Sequence, residues 1–139
     1  MTTALGVLGM PGRTAWFGLT EAGRPHAGEV VVVSGRGRSG RLAGGAVRQA
    51  PRRARARHHA HGAAKCAWLR ESLGADWAID YRAHADADTM GAAIKELTGG
   101  VDVYFDNVGG IATDAVIPLI NRRARIVICG QISQYNGGL

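Results

Sequence analysis

Cysteine, proline and aromatic residues are scarce in this chain, and the scarcity excludes several classes of protein. Two cysteines among 139 residues, without motif spacing, exclude a disulfide framework and a cysteine-rich metal site. Four prolines and a hydrophobic fraction of 46% exclude a disordered chain. Because Cys66 and Cys129 lie in apolar segments, we expect both to be buried free thiols in a reducing compartment.

Long hydrophobic runs are missing as well. No apolar run approaches the ~18 residues of a membrane-spanning helix. The opening residues, MTTALGVLGMPG, are too short and too rich in glycine for a signal peptide. A length of 139 residues is typical of one domain. We therefore predict a soluble, cytoplasmic protein without a membrane partner.

Acidic residues are absent from one stretch of the chain. Residues Arg36–Arg57 contain eight of the 17 basic residues and no acid, so the net charge of +6 is local. A basic nucleic-acid-binding α/β module without catalysis is one interpretation of this stretch. However, the stretch lacks interleaved aromatic residues, and Gly44, Gly45 and Pro51 interrupt any helix. Nucleic acid is therefore the alternative partner and not the one we predict.

The remaining segments alternate between strand and helix patterns. Four consecutive valines in EVVVVSG are typical of a central parallel strand that is apolar on both faces. Further strands are predicted in DWAIDY, VDVYFDNVGG and ARIVICG, of which the last is expected to be buried. Helices are predicted in RTAWFGLTEA, AAKCAWLRESLG, DADTMGAAIKELTGG and IATDAVIPLI. This alternation predicts a doubly wound, Rossmann-type parallel α/β sheet, with ligands beyond the carboxyl ends of its strands.

Two local expectations accompany this fold. Asp88 or Thr89 is expected to cap the helix in DADTMGAAIKELTGG, because both residue types accept hydrogen bonds from a first helical turn. The large aromatic residues of the predicted helices and of DWAIDY are expected in the core, because such side chains bury a large apolar area. They are Trp16, Phe17, Trp68 and Trp77.

A glycine pattern follows the valine strand. Gly35, Gly37 and Gly40 are spaced G-x-G-x-x-G, which allows a backbone to approach a pyrophosphate. The usual companions of this pattern are missing, because no uninterrupted helix follows and no acid lies about 20 residues on. Residues 53–60, where a second strand is expected, contain no β-branched or aromatic residue. We therefore predict a disrupted second strand and preceding helix, which would leave the valine strand with an unpaired apolar edge.

Five segments together resemble the medium-chain dehydrogenase/reductase superfamily: LGVLGMPGRTAWFGL, GEVVVVSG, AAKCAWLRESLGADWAIDY, VDVYFDNVGG and IVICGQISQYN. They are most similar to its zinc-free branch of NADPH-dependent alkenal, enone and prostaglandin reductases. The resemblance implies a zinc-independent oxidoreductase with no metal site. With NADPH as cofactor, it would reduce the C=C bond of small α,β-unsaturated aldehydes or ketones. A quinone reductase of the same superfamily is the nearer alternative.

Residues 36–64 interrupt this resemblance. Suitable codons for Arg36–Leu42 read in a shifted frame as Gly-Ala-Val-Gly-Ser-Ala, and codons for Ala46–Ala54 as Gln-Phe-Ala-Lys-Leu-Arg-Gly-Ala. Both are sequences that the family has at these places. We therefore hypothesise that the stretch is an out-of-frame reading of the gene, whether by sequencing error or by mutation. If resequencing finds no frame slip, the hypothesis of a sequencing error is contradicted.

The resemblance also implies a set of functional residues. Lys65 and Tyr81 would bind the adenosine 2′-phosphate, which favours NADPH over NADH. The phenol of Tyr135 would be catalytic, by donating a hydrogen bond to the enolate oxygen that develops on the substrate. The cofactor-binding residues implied in full are Thr14, Gly35, Gly37, Gly40, Lys65, Tyr81, Asn107, Gly109, Cys129 and Ser133.

The resemblance places these residues within a larger enzyme. Residues 1–139 would be an incomplete NADP-binding domain of Rossmann type, and the separate catalytic β-domain of the family would be absent from them. We expect little reductase activity from this chain alone. We also expect weak cofactor affinity, because arginines replace the small residues of the phosphate loop. The resemblance leaves open whether the full-length enzyme forms a homodimer.

Overall fold

The structure, a computed structural model, describes residues 9–35, 55–60 and 62–135. Its strands are β1 (Val30–Val33), β2 (Arg55–Ala60), β3 (Trp77–Asp80), β4 (Val101–Asp106) and β5 (Ile120–Ile128). All pairs between neighbouring strands are parallel, in the order β3-β2-β1-β4-β5. The predicted doubly wound α/β sheet is therefore confirmed.

Within the described residues, four α-helices connect or flank these strands. They are α1 (Met10–Phe17), α2 (Ala63–Leu73), α3 (Ala87–Thr98) and α4 (Ile111–Val116). A π-helical turn, Gly18–Gly23, extends α1, and 3₁₀ turns follow β3 at Tyr81–Ala83 and α4 at Ile117–Leu119. None of the helices within the described residues is long and apolar enough to cross a membrane.

The cap of α3 differs from the prediction. Asp86, and neither Asp88 nor Thr89, occupies the N-cap position, and its carboxylate accepts a hydrogen bond from Thr89 N at 2.8 Å. The hydroxyl of Thr89 contacts Asp86 N at 3.4 Å in return, which completes a capping box. The residue with extended backbone geometry becomes the cap, and sequence alone does not show which of three neighbouring polar residues is extended.

The strand order reverses between β1 and β4. From β1 the chain builds β2 and β3 on one side of the sheet, and α3 then carries it back to β4 on the other side. β1 and β4 are in register through pairs such as Val31 with Val103 and Val33 with Phe105. Adjacent strands whose connections leave in opposite directions form a crevice at their carboxyl ends. A ligand site is therefore expected beyond Val33 and Asp106.

The core lies on both faces of β1 and β4, which explains the four buried valines. One face packs under α1 and the π-helical turn and contains Ala15, Leu19, Val31, Val33, Val103 and Phe105. The other face packs against α3 and α4 and contains Val30, Val32, Met90, Ile94, Val101, Tyr104, Ala115 and Val116. Alternate side chains of a strand point to opposite faces, so a strand covered on both sides is apolar throughout.

The expected disruption of the second strand is wrong. Residues Arg55–Ala60 form β2, which pairs with β1 from Val30 opposite Arg55 and with β3 from Arg57 opposite Trp77. Main-chain hydrogen bonding to two neighbours outweighs the weak β-propensity of these residues. β1 consequently has a strand on each side and no open edge. The helix expected before β2 lies outside the described residues.

The expectation of a buried last strand is also wrong. Among the strands that the structure describes, β5 is at the edge and pairs only with β4, and Ile128 is 68% exposed. Cys129, which follows it, is exposed, whereas Cys66 is buried as predicted. An apolar strand pattern does not show whether one or two neighbours cover the strand, because that depends on the strand order.

The aromatic residues expected in the core are mostly at the surface. Trp16, Phe17 and Trp77 are exposed, and Trp68 is partly buried against Cys66 and Leu69. α1 directs Ala15 towards the sheet, and the π-helical turn does the same with Leu19, so the aromatic residues between them face away. The aromatic residues of the core are instead Tyr104 and Phe105 of β4.

Arg125 connects β5 to the segment before β1 through hydrogen bonds. Its guanidinium donates two hydrogen bonds to Glu29, at 2.7 and 2.5 Å, and its Nε donates to Gly23 O at 2.8 Å. The hydrogen bonds from Arg125 outweigh burial and lower the pKa of Glu29 to about 2. Because the folded-state pKa lies below the unfolded value of about 4.3, the pair stabilises the fold above that pH. The contribution disappears as the pH falls towards 2.

Replacing Arg125 with alanine should lower the free energy of unfolding by about 1–2 kcal/mol at pH 7, after allowance for solvent screening. Urea unfolding at pH 7 and pH 2.5 measures the effect, which should be much smaller at the lower pH. Arg122→Ala on the same strand is the control, because Arg122 is exposed, and it should change little. An equal loss at both pH values would contradict the proposed pair with Glu29.

Candidate functional site

The carboxyl ends of β1 and β4 form one wall of a cleft of about 510 Å³. The 3₁₀ turn after β3, the first turn of α4 and the segment after β5 form the rest. The lining residues are Ser34, Gly35, Tyr81, Arg82, His84, Met90, Val108, Gly109, Gly110, Ile111, Ala112, Ser133 and Gln134. The cleft thus lies where the reversal of strand order requires it.

A buried carboxylate lies under this cleft. Asp106, the last residue of β4, is 1% exposed, and its side chain accepts hydrogen bonds from three elements. The donors are Ser34 Oγ at 2.8 Å, Tyr104 OH at 3.1 Å, Val108 N at 3.0 Å, Gly109 N at 2.9 Å and Thr113 Oγ1 at 2.7 Å. An ionised carboxylate only accepts hydrogen bonds, so it suits a position surrounded by donors.

These donors determine the charge of Asp106. Burial raises the pKa of its carboxyl, but the hydrogen bonds, led by that from Gly109 N, outweigh burial and lower the pKa below its usual value. Asp106 is therefore ionised at neutral pH. Because the folded-state pKa lies below the unfolded one, ionised Asp106 stabilises the fold above the usual carboxyl range. That contribution is lost as the pH falls through the folded-state pKa.

Ser34 and Asn107 join the ends of β1 and β4. The hydroxyl of Ser34 accepts a hydrogen bond from Asn107 N at 2.9 Å, and Asn107 Nδ2 donates to Ser34 O at 2.6 Å. These bonds continue the ladder between the two strands beyond their last pair. Both nitrogen atoms of Asn107, in the main chain and in the side chain, therefore donate hydrogen bonds to Ser34 at the edge of the cleft.

The segment after β5 is attached to β4 and its turn. Cys129 N and Gly130 N donate to the main-chain oxygen of Asp106, at 2.7 and 3.1 Å. Farther along, Ser133 donates to Val108 O from its main-chain nitrogen at 3.0 Å and from its hydroxyl at 2.6 Å. This wall of the cleft is thus positioned by main-chain groups of the turn after β4.

Gly110 adopts a backbone conformation that only glycine tolerates well. Its φ is 57° and its ψ is −140°, and a Cβ there would lie 2.9 Å from Ser133 Oγ. Its carbonyl accepts hydrogen bonds from Thr113 N and Asp114 N at the start of α4. The turn therefore needs glycine both for its backbone angles and for space beside Ser133.

The structure brings together only part of the predicted site. Gly35, Tyr81, Gly109 and Ser133 line the cleft. The other predicted residues that the structure describes are not among the lining residues: Thr14, Lys65, Asn107, Cys129 and Tyr135. Gly37 and Gly40 lie outside the described residues. The roles of all these residues remain predictions.

The residues outside the cleft have identifiable positions. Thr14 donates its hydroxyl to Met10 O within α1 at 2.8 Å. Lys65 lies in the first turn of α2, directly after β2, and therefore at the same edge of the sheet as Tyr81 after β3. Tyr135 is 70% exposed, and its hydroxyl accepts a hydrogen bond from Gln131 N at 3.4 Å.

Ser34 and Asp106 were missed by the sequence analysis. Each is a polar residue directly at the carboxyl end of a strand that is otherwise buried. Arg82 and His84, which also line the cleft, follow Tyr81 in a segment without a motif. The polar ends of the buried strands were the available signal, because such ends meet at one edge of a parallel sheet.

Comparison with known proteins agrees with this geometry. The profile of the zinc-binding dehydrogenase family matches residues 58–137, which is more than half of the chain. The chain belongs to the zinc-binding dehydrogenase family. The matched residues of this family member include β3, β4, β5 and the whole segment from Asn107 to Tyr135.

Individual relatives and solved structures specify the resemblance further. NADPH-dependent curcumin reductase of Escherichia coli is 40% identical over 141 residues, which cover 96% of this chain and 37% of that protein. NADP(+)-dependent 2-alkenal reductase of Nicotiana tabacum is 38% identical over 137 residues, covering 94% and 37%. CurA from Vibrio vulnificus in complex with NADPH matches with a TM-score of 0.86 and 42% identity, covering 99% of this chain and 40% of that one.

These matches confirm the predicted resemblance to NADPH-dependent alkenal and enone reductases of the medium-chain dehydrogenase/reductase superfamily. The chain of this zinc-binding dehydrogenase family member spans less than half the length of these relatives.

The name of the family raises the question of a metal ion. A catalytic zinc site requires about three protein ligands, usually histidine, cysteine or a carboxylate. Within the part of the chain that the structure describes, no group of three such residues is placed to hold a metal ion. The described residues of this zinc-binding dehydrogenase family member therefore do not fit a zinc ion.

Proposed function

We propose that this chain is the cofactor-binding part of an NADPH-dependent reductase that acts on the C=C bond of α,β-unsaturated aldehydes or ketones. The observation that carries the proposal is the cleft at the reversal of strand order, where Gly35, Gly109 and Ser133 meet. Relatives whose names specify NADPH-dependent curcumin and 2-alkenal reduction support the cofactor and the substrate class.

The cleft has the features that a dinucleotide requires. Gly35 and Gly109 line the cleft without side chains and so present main-chain groups to a ligand. Tyr81 and Arg82, on the opposite wall, offer a hydroxyl and a guanidinium to a phosphate group. Lys65, at the same edge of the sheet, would add an ammonium group for the adenosine 2′-phosphate. We therefore assign the β3 side of the cleft to the adenosine phosphate.

The segment after β5 would face the nicotinamide and the substrate. When bound, NADPH supplies a hydride to the electron-poor β-carbon of the substrate. Ser133 is held in place by Val108, so its wall is fixed before a ligand arrives. Tyr135 accepts one long hydrogen bond, and its O–H therefore remains available to donate to the carbonyl oxygen of the substrate. Asn107 and Cys129 would support this end of the cleft, and Thr14 would lie near the carboxamide.

A fluorescence titration with NADPH and NADH tests the cofactor. We expect saturable NADPH binding, with NADH bound about 10-fold more weakly, because only NADPH presents a dianionic phosphate to the cationic groups. Lys65→Ala should remove most of this preference, whereas Lys95→Ala, on the exposed face of α3, should leave it unchanged. Equal affinity for the two cofactors would contradict the assignment of the 2′-phosphate.

A DNA titration at several salt concentrations, run beside it, separates the nucleic-acid alternative. Tight and steeply salt-dependent DNA binding without NADPH binding would favour that alternative.

A test of the substrate class requires a full-length enzyme. The rates of NADPH oxidation by an enone, an enal and a quinone are compared with that enzyme. Faster turnover of the quinone than of the conjugated carbonyl compounds would favour a quinone reductase.

A further inference from the structure

The peptide between Val108 and Gly109 connects two walls of the cleft. Its N–H, which is that of Gly109, donates to the carboxylate of Asp106 at 2.9 Å, and its carbonyl, which is that of Val108, accepts both hydrogen bonds from Ser133, at 3.0 and 2.6 Å. The orientation of this one peptide plane therefore determines where Ser133 lies. Since peptide planes are rigid, turning the N–H away from Asp106 would also turn the carbonyl away from Ser133.

We infer that Asp106 is the positioning residue of this cleft, which orients the Val108–Gly109 peptide and, through it, the Ser133 wall that faces the ligand. The inference rests on the proposed function for the identity of the ligand, NADPH. Asp106 itself lies beneath the surface, so it acts through the turn and not by contact with the cofactor.

The number of donors explains why a carboxylate occupies this position. Oδ1 of Asp106 accepts from Ser34, Tyr104, Val108 and Gly109, and Oδ2 accepts from Thr113. Asparagine would retain one oxygen for the donors at Oδ1. Its amide nitrogen would face the hydroxyl of Thr113, which rotates to accept instead of donating. Alanine would leave all these donors without their acceptor.

Three variants separate this role from general stability. Asp106→Ala removes the acceptor, Asp106→Asn keeps an oxygen at the same place, and Asp102→Ala is the matched control. Asp102 belongs to the same strand but lies at its other end, where it accepts from Val30 N at 2.8 Å and Asn121 Nδ2 at 2.7 Å. Each folded variant is measured by NADPH titration and by hydrogen exchange of the Ser133 amide in the absence of ligand.

For Asp106→Ala we expect about 10-fold weaker NADPH binding and about 10-fold faster exchange at Ser133, since the loss of a buried charge-assisted hydrogen bond is of this size. Asp106→Asn should restore both quantities to within about 3-fold of the parent. In the folded fraction of Asp102→Ala, the NADPH affinity and the exchange rate at Ser133 should equal those of the parent. If Asp106→Ala does not fold, Asp106→Ser replaces it, because its shorter polar side chain admits water but does not reach Gly109 N.

Two results would overturn the inference. One is unchanged Ser133 exchange in a folded Asp106→Ala or Asp106→Ser variant. The other is equal acceleration by Asp102→Ala, which would mean that any weakening of β4 loosens the turn. If neither the parent nor a variant binds NADPH while Ser133 exchange follows the expected order, the proposed cofactor is wrong and the positioning role of Asp106 stands.

Discussion

Replacing Phe105 with alanine should lower the free energy of unfolding by about 3–5 kcal/mol. Phe105 is 1% exposed and packs in the cluster beneath α1 with Leu19 and Val33. The fit is close, because a Cβ on Gly18 would lie only 2.6 Å from the Phe105 ring. Removal of the ring therefore leaves a cavity that its neighbours fill poorly. Urea unfolding measures the loss.

Phe17→Ala is the matched control, since Phe17 is 58% exposed on α1. It should cost less than about 1 kcal/mol. If Phe105→Ala leaves no folded protein, Phe105→Leu gives a graded measurement, with a smaller loss because leucine fills part of the cavity. Equal losses at the two phenylalanine positions would show that the core does not lie between α1 and the sheet.

Replacing Gly110 with alanine should weaken NADPH binding by at least about 10-fold and lower stability by about 1–3 kcal/mol. The new Cβ is strained at a φ of 57° and lies 2.9 Å from Ser133 Oγ. Relief of that contact moves Ser133 away from Val108 and changes the wall of the cleft. NADPH titration and urea unfolding on the same preparation measure both effects.

Gly28→Ala controls for the backbone strain. Gly28 also has a positive φ, 91°, but a Cβ there has no neighbour within 4 Å, and Gly28 does not line the cleft. It should lower stability by a similar amount and leave NADPH affinity unchanged. A loss of affinity at Gly28 as large as that at Gly110 would show that binding depends on stability alone, and not on the turn after β4.

The elements that sequence reasoning placed correctly are those with local signals. The valine strand, the helix ending at Gly74 and the strand before Asn107 follow from periodicity and from glycine stops, which act over a few residues. β2 was missed because its residues have little β-propensity, and its pairing with β1 and β3 lies far away in sequence. The exposure of β5 was missed because edge position is a property of the whole sheet.

The residues of the candidate site also fall into those that have a local sequence signal and those that do not. Gly35, Gly109 and Ser133 were found through segments that resemble a family, and the structure places all three on the cleft. Asp106 was overlooked, although it precedes Asn107 directly. Its importance lies in donors from the residue after β1, from β4 and the turn that follows it, and from α4, and no single segment contains them.

The sequence by itself determined the alternation of helices and strands, the class of sheet and the family, because these follow from local periodicity and from short motifs. Only the tertiary structure decided that β2 forms, that β5 is an edge and that Asp106 collects hydrogen bonds beneath the cleft. Each of these depends on groups that are distant along the chain. A hydrogen bond or a strand pair forms according to distance in space, and folding alone brings such groups together.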